Sequence, residues 1–177
     1  MSKVIWNMDP THSELGFKVK HMMVTNLSGK FTDFSVQASS DDEKFSNPEI
    51  SFSAKIASVN TGQDQRDGHL RSPEFFDVEA HPEMTFKANK MTQVDGDNYK
   101  MEGNLTIKGI SKPVQLDVEF GGIGKDPWGN TKAGFTVNGK IKRSDFGLTW
   151  NAPLETGGVL VSDEVRINSE IQLVKGA

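Results

Sequence analysis

The chain has 177 residues, enough for one domain, and its 20 basic and 24 acidic side chains leave a formal net charge of −4. This mild acidity argues against a nucleic-acid-binding protein, which needs a basic surface, and provides no electrostatic attraction to an anionic membrane. The absence of cysteine excludes disulfides, thiolate nucleophiles and cysteine-based zinc sites. We therefore expect a single domain over 1–177 with no nucleic-acid partner.

Composition and periodicity both favour β-structure. Val, Ile and Phe together outnumber Ala and Leu by two to one. Apolar and polar residues alternate along much of the chain, which is the pattern of a strand with one buried face. The sequence predicts a short first strand at 3–7 and then strands at 15–21, 29–38, 50–58, 84–94, 99–107, 114–120, 135–141 and 164–174. The segment 29–38 is the least regular, because Phe31 and Phe34 fall on opposite faces of a continuous strand.

Short polar connections separate the predicted strands. Asp95-Gly96-Asp97-Asn98 is a hairpin signature, since Asp, Gly and Asn tolerate positive φ. The segments 108–113 and 121–129 are two further connections, each with a proline, and the second has four glycines. Strands joined by such tight turns are antiparallel, so the pattern predicts about eight main strands in meander order.

One stretch interrupts the β pattern. Residues 62–71 are polar and compatible with a helix, and Thr61 is a plausible N-cap. We expect a short helix that crosses one end of the sheet, followed by a helical turn that begins at Pro73 and carries Phe75 and Phe76.

One-sided alternation over eight strands requires a single apolar interior, which a sandwich or a closed barrel provides. Long strands in meander order favour the barrel, and an eight-stranded barrel is either filled by its side chains or holds one small ligand. Small residues interrupt the inward register, namely Ala54, Ser58, Ala88, Gly103, Gly139 and Ser169. They either leave space for an elongated apolar cavity or pack opposite large neighbours.

Several ordered segments resemble the YceI-like, polyisoprenoid-binding family. The first runs from Trp6 through Asp9, His12 and Phe17 to His21. The other matching segments are 64–77, 82–86, 105–116, 143–148 and 163–167, which include Asp64-Gln65-Arg66-Asp67 and Leu105-Thr106-Ile107-Lys108-Gly109. The resemblance covers nearly the whole chain, from about residue 4 to residue 174.

The resemblance implies an all-β, lipocalin-like, extended antiparallel up-and-down barrel of eight strands, with an interior tunnel and the short helix across one end. It also implies a long isoprenoid chain as the bound ligand, such as an isoprenoid quinone or a polyprenyl phosphate. Many members carry a secretory leader. This chain shows no apolar run that would serve as a leader or cross a membrane, so a cytoplasmic location is expected, or a periplasmic one if a leader was removed.

Two polar groups could carry chemistry. Arg66, Asp67, His69 and Arg71 form either a polar mouth for a ligand head group or a set of ion pairs that pins the helix to the barrel. Asp9 could orient His12 for acid–base work, or it could accept backbone N–H bonds in its own turn. The histidines do not provide a metal-binding set, and Arg143 with Asp145 is expected to form a local ion pair.

The sequence thus predicts a non-catalytic protein that binds or carries a long-chain isoprenoid lipid, with no other cofactor, no metal and no integral membrane segment. A homodimer is compatible with it. Two alternatives stay open: a lipid-modifying enzyme at the barrel mouth with His12 or His69 as base, and a solid barrel that acts as a protein-interaction module. The predicted ligand-binding residues are Phe17, Val19, Phe52, Ile56, Phe75, Phe76, Phe86, Leu105, Ile107, Leu116, Val118, Phe135, Val137, Ile141 and Trp150, with His69 and Arg71 as head-group contacts.

Overall fold

The computed structural model describes residues 3–22, 24–151 and 161–176, which form an antiparallel barrel with one short helix. The strands are β1 (Val4–Met8), β2 (Glu14–His21), β3 (Thr25–Phe31), β4 (Phe34–Ser40), β5 (Glu49–Lys55), β6 (Val59–Asn60), β7 (Glu83–Asp95), β8 (Asn98–Ile107), β9 (Ile110–Lys125), β10 (Thr131–Lys142) and β11 (Val161–Lys175). The helix α1 (Asp64–Arg71) lies between β6 and β7 in the chain.

The barrel closes through β11. Eight strands pair in the order β1, β4, β5, β7, β8, β9, β10 and β11, and the end of β11 pairs with β1 to complete the ring. The first part of β11 pairs instead with β2, which continues through β3 to β6. Every pairing is antiparallel, so the barrel fold predicted from the sequence is confirmed.

Two predicted strands are each broken by a local bend. The segment 29–38 splits after Phe31, and the two-residue break before β4 lets Phe31 and Phe34 both contact the core. The segment 50–58 ends as a strand at Lys55, because the 3-10 turn Ile56–Ser58 redirects the chain into β6. The out-of-phase spacing of Phe31 and Phe34 therefore marks a bend in the chain, and both side chains still contact the core.

The connections are shorter than predicted. Lys108 and Gly109 alone form the turn between β8 and β9, both with positive φ, so β9 begins at Ile110. At its other end β9 continues to Lys125, and the turn occupies only 126–130. The helix begins at Asp64, two residues later than predicted, and Thr61 does not cap it, because the N-cap residue is Gln63.

The two ends of the barrel differ in what covers them. At one end lie α1, the turns of 72–80 and the β2–β3 hairpin. At the other end the β4–β5 loop places Phe45 beside Trp6, Phe120 and Phe135. We call these the helix end and the Phe45 end.

Candidate functional site

Between the described residues, the barrel interior holds two adjoining apolar cavities. The larger, which we call the outer chamber, has a volume of about 620 Å³ and lies at the helix end. The smaller, the inner chamber, has a volume of about 130 Å³ and reaches to Phe45. Leu15, Leu105 and Ile167 line both chambers, so the two meet at these side chains. The barrel is therefore hollow, unlike the solid barrel of the protein-interaction alternative.

The inner chamber has an almost entirely apolar wall. Among the described residues, the one polar side chain on this wall is that of Ser169, whose hydroxyl donates to the Glu14 carbonyl at 2.6 Å. The wall is formed by Leu15, Val36, Phe45, Ile50, Phe52, Phe86, Met91, Met101, Leu105, Val114, Leu116, Val118, Phe135, Val137, Ile167, Ser169, Ile171 and Leu173. The strand residues in this set alternate with outward polar residues, which is why period-two reasoning finds many of them.

The outer chamber combines an apolar wall with a polar rim. Its apolar lining residues include Phe17, Val19, Phe31, Phe75, Phe76, Ile107, Ile141 and Trp150. The polar side chains among its described lining residues are His21, Gln63, Gln65, Arg66, His69 and Arg143. Within that described set no side chain is a carboxylate: the two arginines only donate, and the glutamines and histidines can donate or accept.

Helix α1 is held by a buried carboxylate at its middle. Asp67 is 4% exposed and accepts hydrogen bonds from the backbone N–H of Thr61 at 2.9 Å and from its hydroxyl at 2.5 Å. Arg66 donates to the Thr61 hydroxyl and carbonyl, each at 2.7 Å. The predicted pairing of Asp67 with nearby cations is therefore wrong: both side chains converge on Thr61.

Arg71 lies outside both chamber walls. Its guanidinium donates to the carbonyl of Ala57 at 3.1 Å and to that of Val59 at 3.3 Å. These bonds attach the last turn of α1 to the segment that leads into β6. The structure therefore gives Arg71 a role in holding the helix, and its contact with a head group stays a prediction.

His69 lies on the rim of the outer chamber among aromatic rings. Its Nε2 is 2.5 Å from Oε2 of Glu74, and its ring meets Phe75 and Trp150 edge-on at centroid distances of 4.9 and 4.8 Å. Phe75 and Trp150 are themselves 5.4 Å apart. These three rings form one continuous surface at the opening.

Arg143 is a buried cation held by carbonyl oxygens. It is 5% exposed and donates to the carbonyls of Ser162, Leu148, Trp150 and Val161 at 2.6–3.2 Å. Burial lowers the pKa of its guanidinium, and the nearby Asp163 opposes that shift. The expected ion pair with Asp145 is not what holds it, and Asp163, not Asp145, accepts from the backbone N–H and hydroxyl of Ser144.

Asp9 is a structural acceptor that is not among the lining residues of either chamber. It accepts from the backbone N–H and hydroxyl of Thr11, contacts His12 Nδ1 at 2.9 Å and pairs with Lys132 at 2.8 Å. The Lys132 ammonium holds the pKa of the Asp9 carboxyl well below its usual range, with His12 and Thr11 contributing. His12 lines neither chamber, so this pair does not face a ligand in the bore.

All the other predicted ligand-binding residues lie on a chamber wall except Ile56. Ile56 is buried at 1% exposure, but it belongs to the 3-10 turn after β5 and so leaves the inward register of that strand. Contact of the wall residues with a lipid stays a prediction. Sequence reasoning missed Phe45 and did not place Arg143 on a chamber wall, whereas Arg66 was already part of the predicted polar mouth. Of these, Phe45 carries a readable signal as a lone aromatic in a polar loop.

Within residues 3–22, 24–151 and 161–176 there is no cluster of three or more His, Asp or Glu that could hold a metal ion. The same ranges contain no helix long and apolar enough to span a bilayer.

The sequence model of the YceI-like domain matches residues 6–173. The chain belongs to the YceI-like family. A UPF0312 protein of Staphylococcus aureus is 36% identical over 168 residues, which cover 94% of this chain and 95% of that protein.

Solved structures agree with this assignment. The YCEI protein of Campylobacter jejuni superposes with a TM-score of 0.74 at 37% identity and covers 89% of this chain and 90% of its own. A polyisoprenoid binding domain from Saccharophagus degradans has a TM-score of 0.65 at 17% identity, with 97% and 98% of the two chains covered. At that identity the second similarity shows the shared barrel fold.

Proposed function

We propose that this YceI-like protein binds a long-chain isoprenoid lipid, with the tail in the inner chamber and the head group at the rim of the outer chamber. The bound species would be an isoprenoid quinone or a polyprenyl phosphate. The observation that carries the proposal is the inner chamber, whose wall is apolar apart from the internally bonded Ser169.

The shape of the bore favours a narrow, elongated guest. The two chambers meet at Leu15, Leu105 and Ile167, so a ligand that fills both must pass between these side chains. A flexible apolar tail satisfies this requirement, whereas a compact polar metabolite would leave its hydrogen-bonding groups unpaired against the inner wall. The Saccharophagus degradans domain with the same fold is described as polyisoprenoid binding, which supports the same class of ligand.

The energy of such binding comes from burial of the tail. At about 25 cal/mol per Å² removed from water, a tail that buries roughly 300 Å² contributes about 7 kcal/mol before the costs of association. This apolar contribution does not require a charged group on the ligand. Affinity is therefore expected to depend on the tail more than on the head group.

The arrangement of the polar residues supports a non-catalytic role. On the rim, the imidazole of His69 is engaged by Glu74 and enclosed by Phe75 and Trp150. A second histidine–carboxylate pair, His12 with Asp9, has neither member among the residues that line the chambers. Neither pair places a nucleophile beside the apolar wall.

The test is direct identification of the guest. Protein purified without detergent is extracted with organic solvent and the extract is analysed by mass spectrometry, while stripped protein is titrated with an isoprenoid quinone. We expect a stoichiometric isoprenoid lipid in the extract or saturable uptake of the quinone. A clean extract together with no uptake of the quinone would refute the proposal.

A further inference from the structure

We propose that Phe45 determines the longest tail that the bore accepts, by closing the inner chamber at the end opposite to the rim. This inference rests on the proposed function, because it concerns the tail of the same ligand. Phe45 does not come from a barrel strand: it belongs to the β4–β5 loop and enters the chamber wall from the end.

The ring of Phe45 is packed into an aromatic cluster. It is 7% exposed and lies 4.8 Å from the ring of Phe135 and 5.5 Å from that of Trp6, with Phe120 at 6.5 Å. Trp6 is fully buried and holds this end of the barrel. A tail that runs along the inner chamber therefore meets a packed ring and not open solvent.

The backbone of Phe45 is held in an unfavourable conformation. Its φ is 66°, in the left-handed region that a bulky residue rarely adopts. Such a conformation persists only where the surroundings impose it, and it is a reason to look for function. Here the strained backbone is what turns the ring from the loop into the bore.

The loop supplies the bonds that impose this conformation. The Asp42 carboxylate accepts from the backbone N–H of Lys44 at 3.0 Å and from the N–H and hydroxyl of Ser46 at 3.2 and 2.9 Å. The Ser40 hydroxyl donates to the Asp42 carbonyl at 2.7 Å and accepts from the Trp6 indole at 2.8 Å. These bonds link the loop to the buried Trp6, so we treat Phe45 as a fixed stop.

A fixed stop predicts a length limit. Each added isoprene unit gains affinity while it enters the chamber, and the gain ends when the terminal carbons reach the ring. Phe45→Gly removes the ring and suits the positive φ, because glycine adopts it freely. Phe45→Trp enlarges the stop and should move the limit in the other direction.

The experiment measures Kd for a series of isoprenoid quinones that differ only in the number of isoprene units. For the wild type, affinity should rise with length and then level off. In Phe45→Gly the first unit beyond the wild-type limit should still raise affinity about fivefold or more, with shorter quinones little changed, and in Phe45→Trp the levelling should occur at a shorter tail.

Phe120→Ala is the matched control. It removes a ring that stacks on Phe135 at 5.1 Å and neighbours Phe45, but Phe120 is not among the residues that line the inner chamber. It should keep the wild-type limit. If Phe45→Gly and Phe45→Trp, folded by circular dichroism, level off where the wild type does, the inference is wrong while the proposed function stands. If the wild type binds no quinone of the series, the proposed function fails and this inference fails with it.

Discussion

Gly139 offers the sharpest single-site test of the hollow bore. It lies on β10 between the wall residues Val137 and Ile141 and pairs with Ile167 of β11. A Cβ added at this position would lie 2.3 Å from Cδ2 of Leu116, a side chain that itself lines the inner chamber. The substitution Gly139→Phe must therefore push Leu116, or place its own ring, into the space proposed for the tail.

The size of the effect follows from the area of tail that is displaced. Excluding roughly 100 Å² of tail surface at 25 cal/mol per Å² removes about 2.5 kcal/mol, which is roughly seventy-fold in Kd. Overpacking costs the fold about 1–3 kcal/mol, which lowers the melting temperature by about 2–12 °C in a domain of this size. The barrel should therefore still fold.

The assay compares quinone titration and thermal unfolding for Gly139→Phe and for the control Gly134→Phe. Gly134 lies on the same strand, but an added Cβ there meets nothing within 4 Å. The control should bind as the wild type does. Unchanged quinone affinity in a folded Gly139→Phe variant would show that the tail does not occupy this part of the bore.

Three other predictions concern the polar groups. Arg71→Ala should lower the free energy of unfolding by about 1–2 kcal/mol, because it removes the bonds to Ala57 and Val59, yet leave quinone Kd unchanged. A large loss of affinity without loss of stability would instead support the head-group role. Arg143→Met should lower the free energy of unfolding further, by about 2–5 kcal/mol in a urea titration, because four carbonyl acceptors lose their donor. A variant as stable as the wild type would contradict this expectation. Because the pKa of Asp9 is lower in the folded state than its ordinary value of 3.8, the ionised carboxyl stabilises the fold, and this stabilisation is lost progressively as pH falls below about 5. The melting temperature of Asp9→Asn should therefore fall less steeply than that of the wild type from pH 6 to pH 3. An equally steep fall would exclude Asp9 as a cause of the acid sensitivity.

The strand content and the wall of the barrel were accessible from the sequence for a physical reason. In a strand, successive side chains point to opposite faces, so an alternating pattern identifies the inward residues without knowledge of the partners. Phe135 and Val137, for example, are found on the inner wall as predicted. The hairpin at 95–98 was predictable for a similarly local reason, since its turn residues tolerate the required backbone angles.

Prediction failed where long-range contacts decide local geometry. Ile56 continues the alternation of β5 in the sequence, but the chain bends there as its backbone N–H bonds the Pro82 carbonyl at 2.9 Å. Sequence alone does not show that carbonyl groups from other segments accept from the guanidinium groups of Arg71 and Arg143. Sequence reasoning therefore interprets Arg71 as a head-group contact and Arg143 as a member of an ion pair. Phe45 lies in a loop without periodicity; a lone aromatic in a polar loop is a local signal, but only the tertiary structure shows that its ring enters the bore.

The sequence by itself determined that the chain forms antiparallel strands around a single apolar interior, because alternation and turn chemistry are local properties of neighbouring residues. Only the tertiary structure decided that this interior is hollow, that its two chambers meet at Leu15, Leu105 and Ile167, and which loop closes it. Empty volume depends on how side chains from distant strands meet across the barrel, and no pattern along a single strand records that distance.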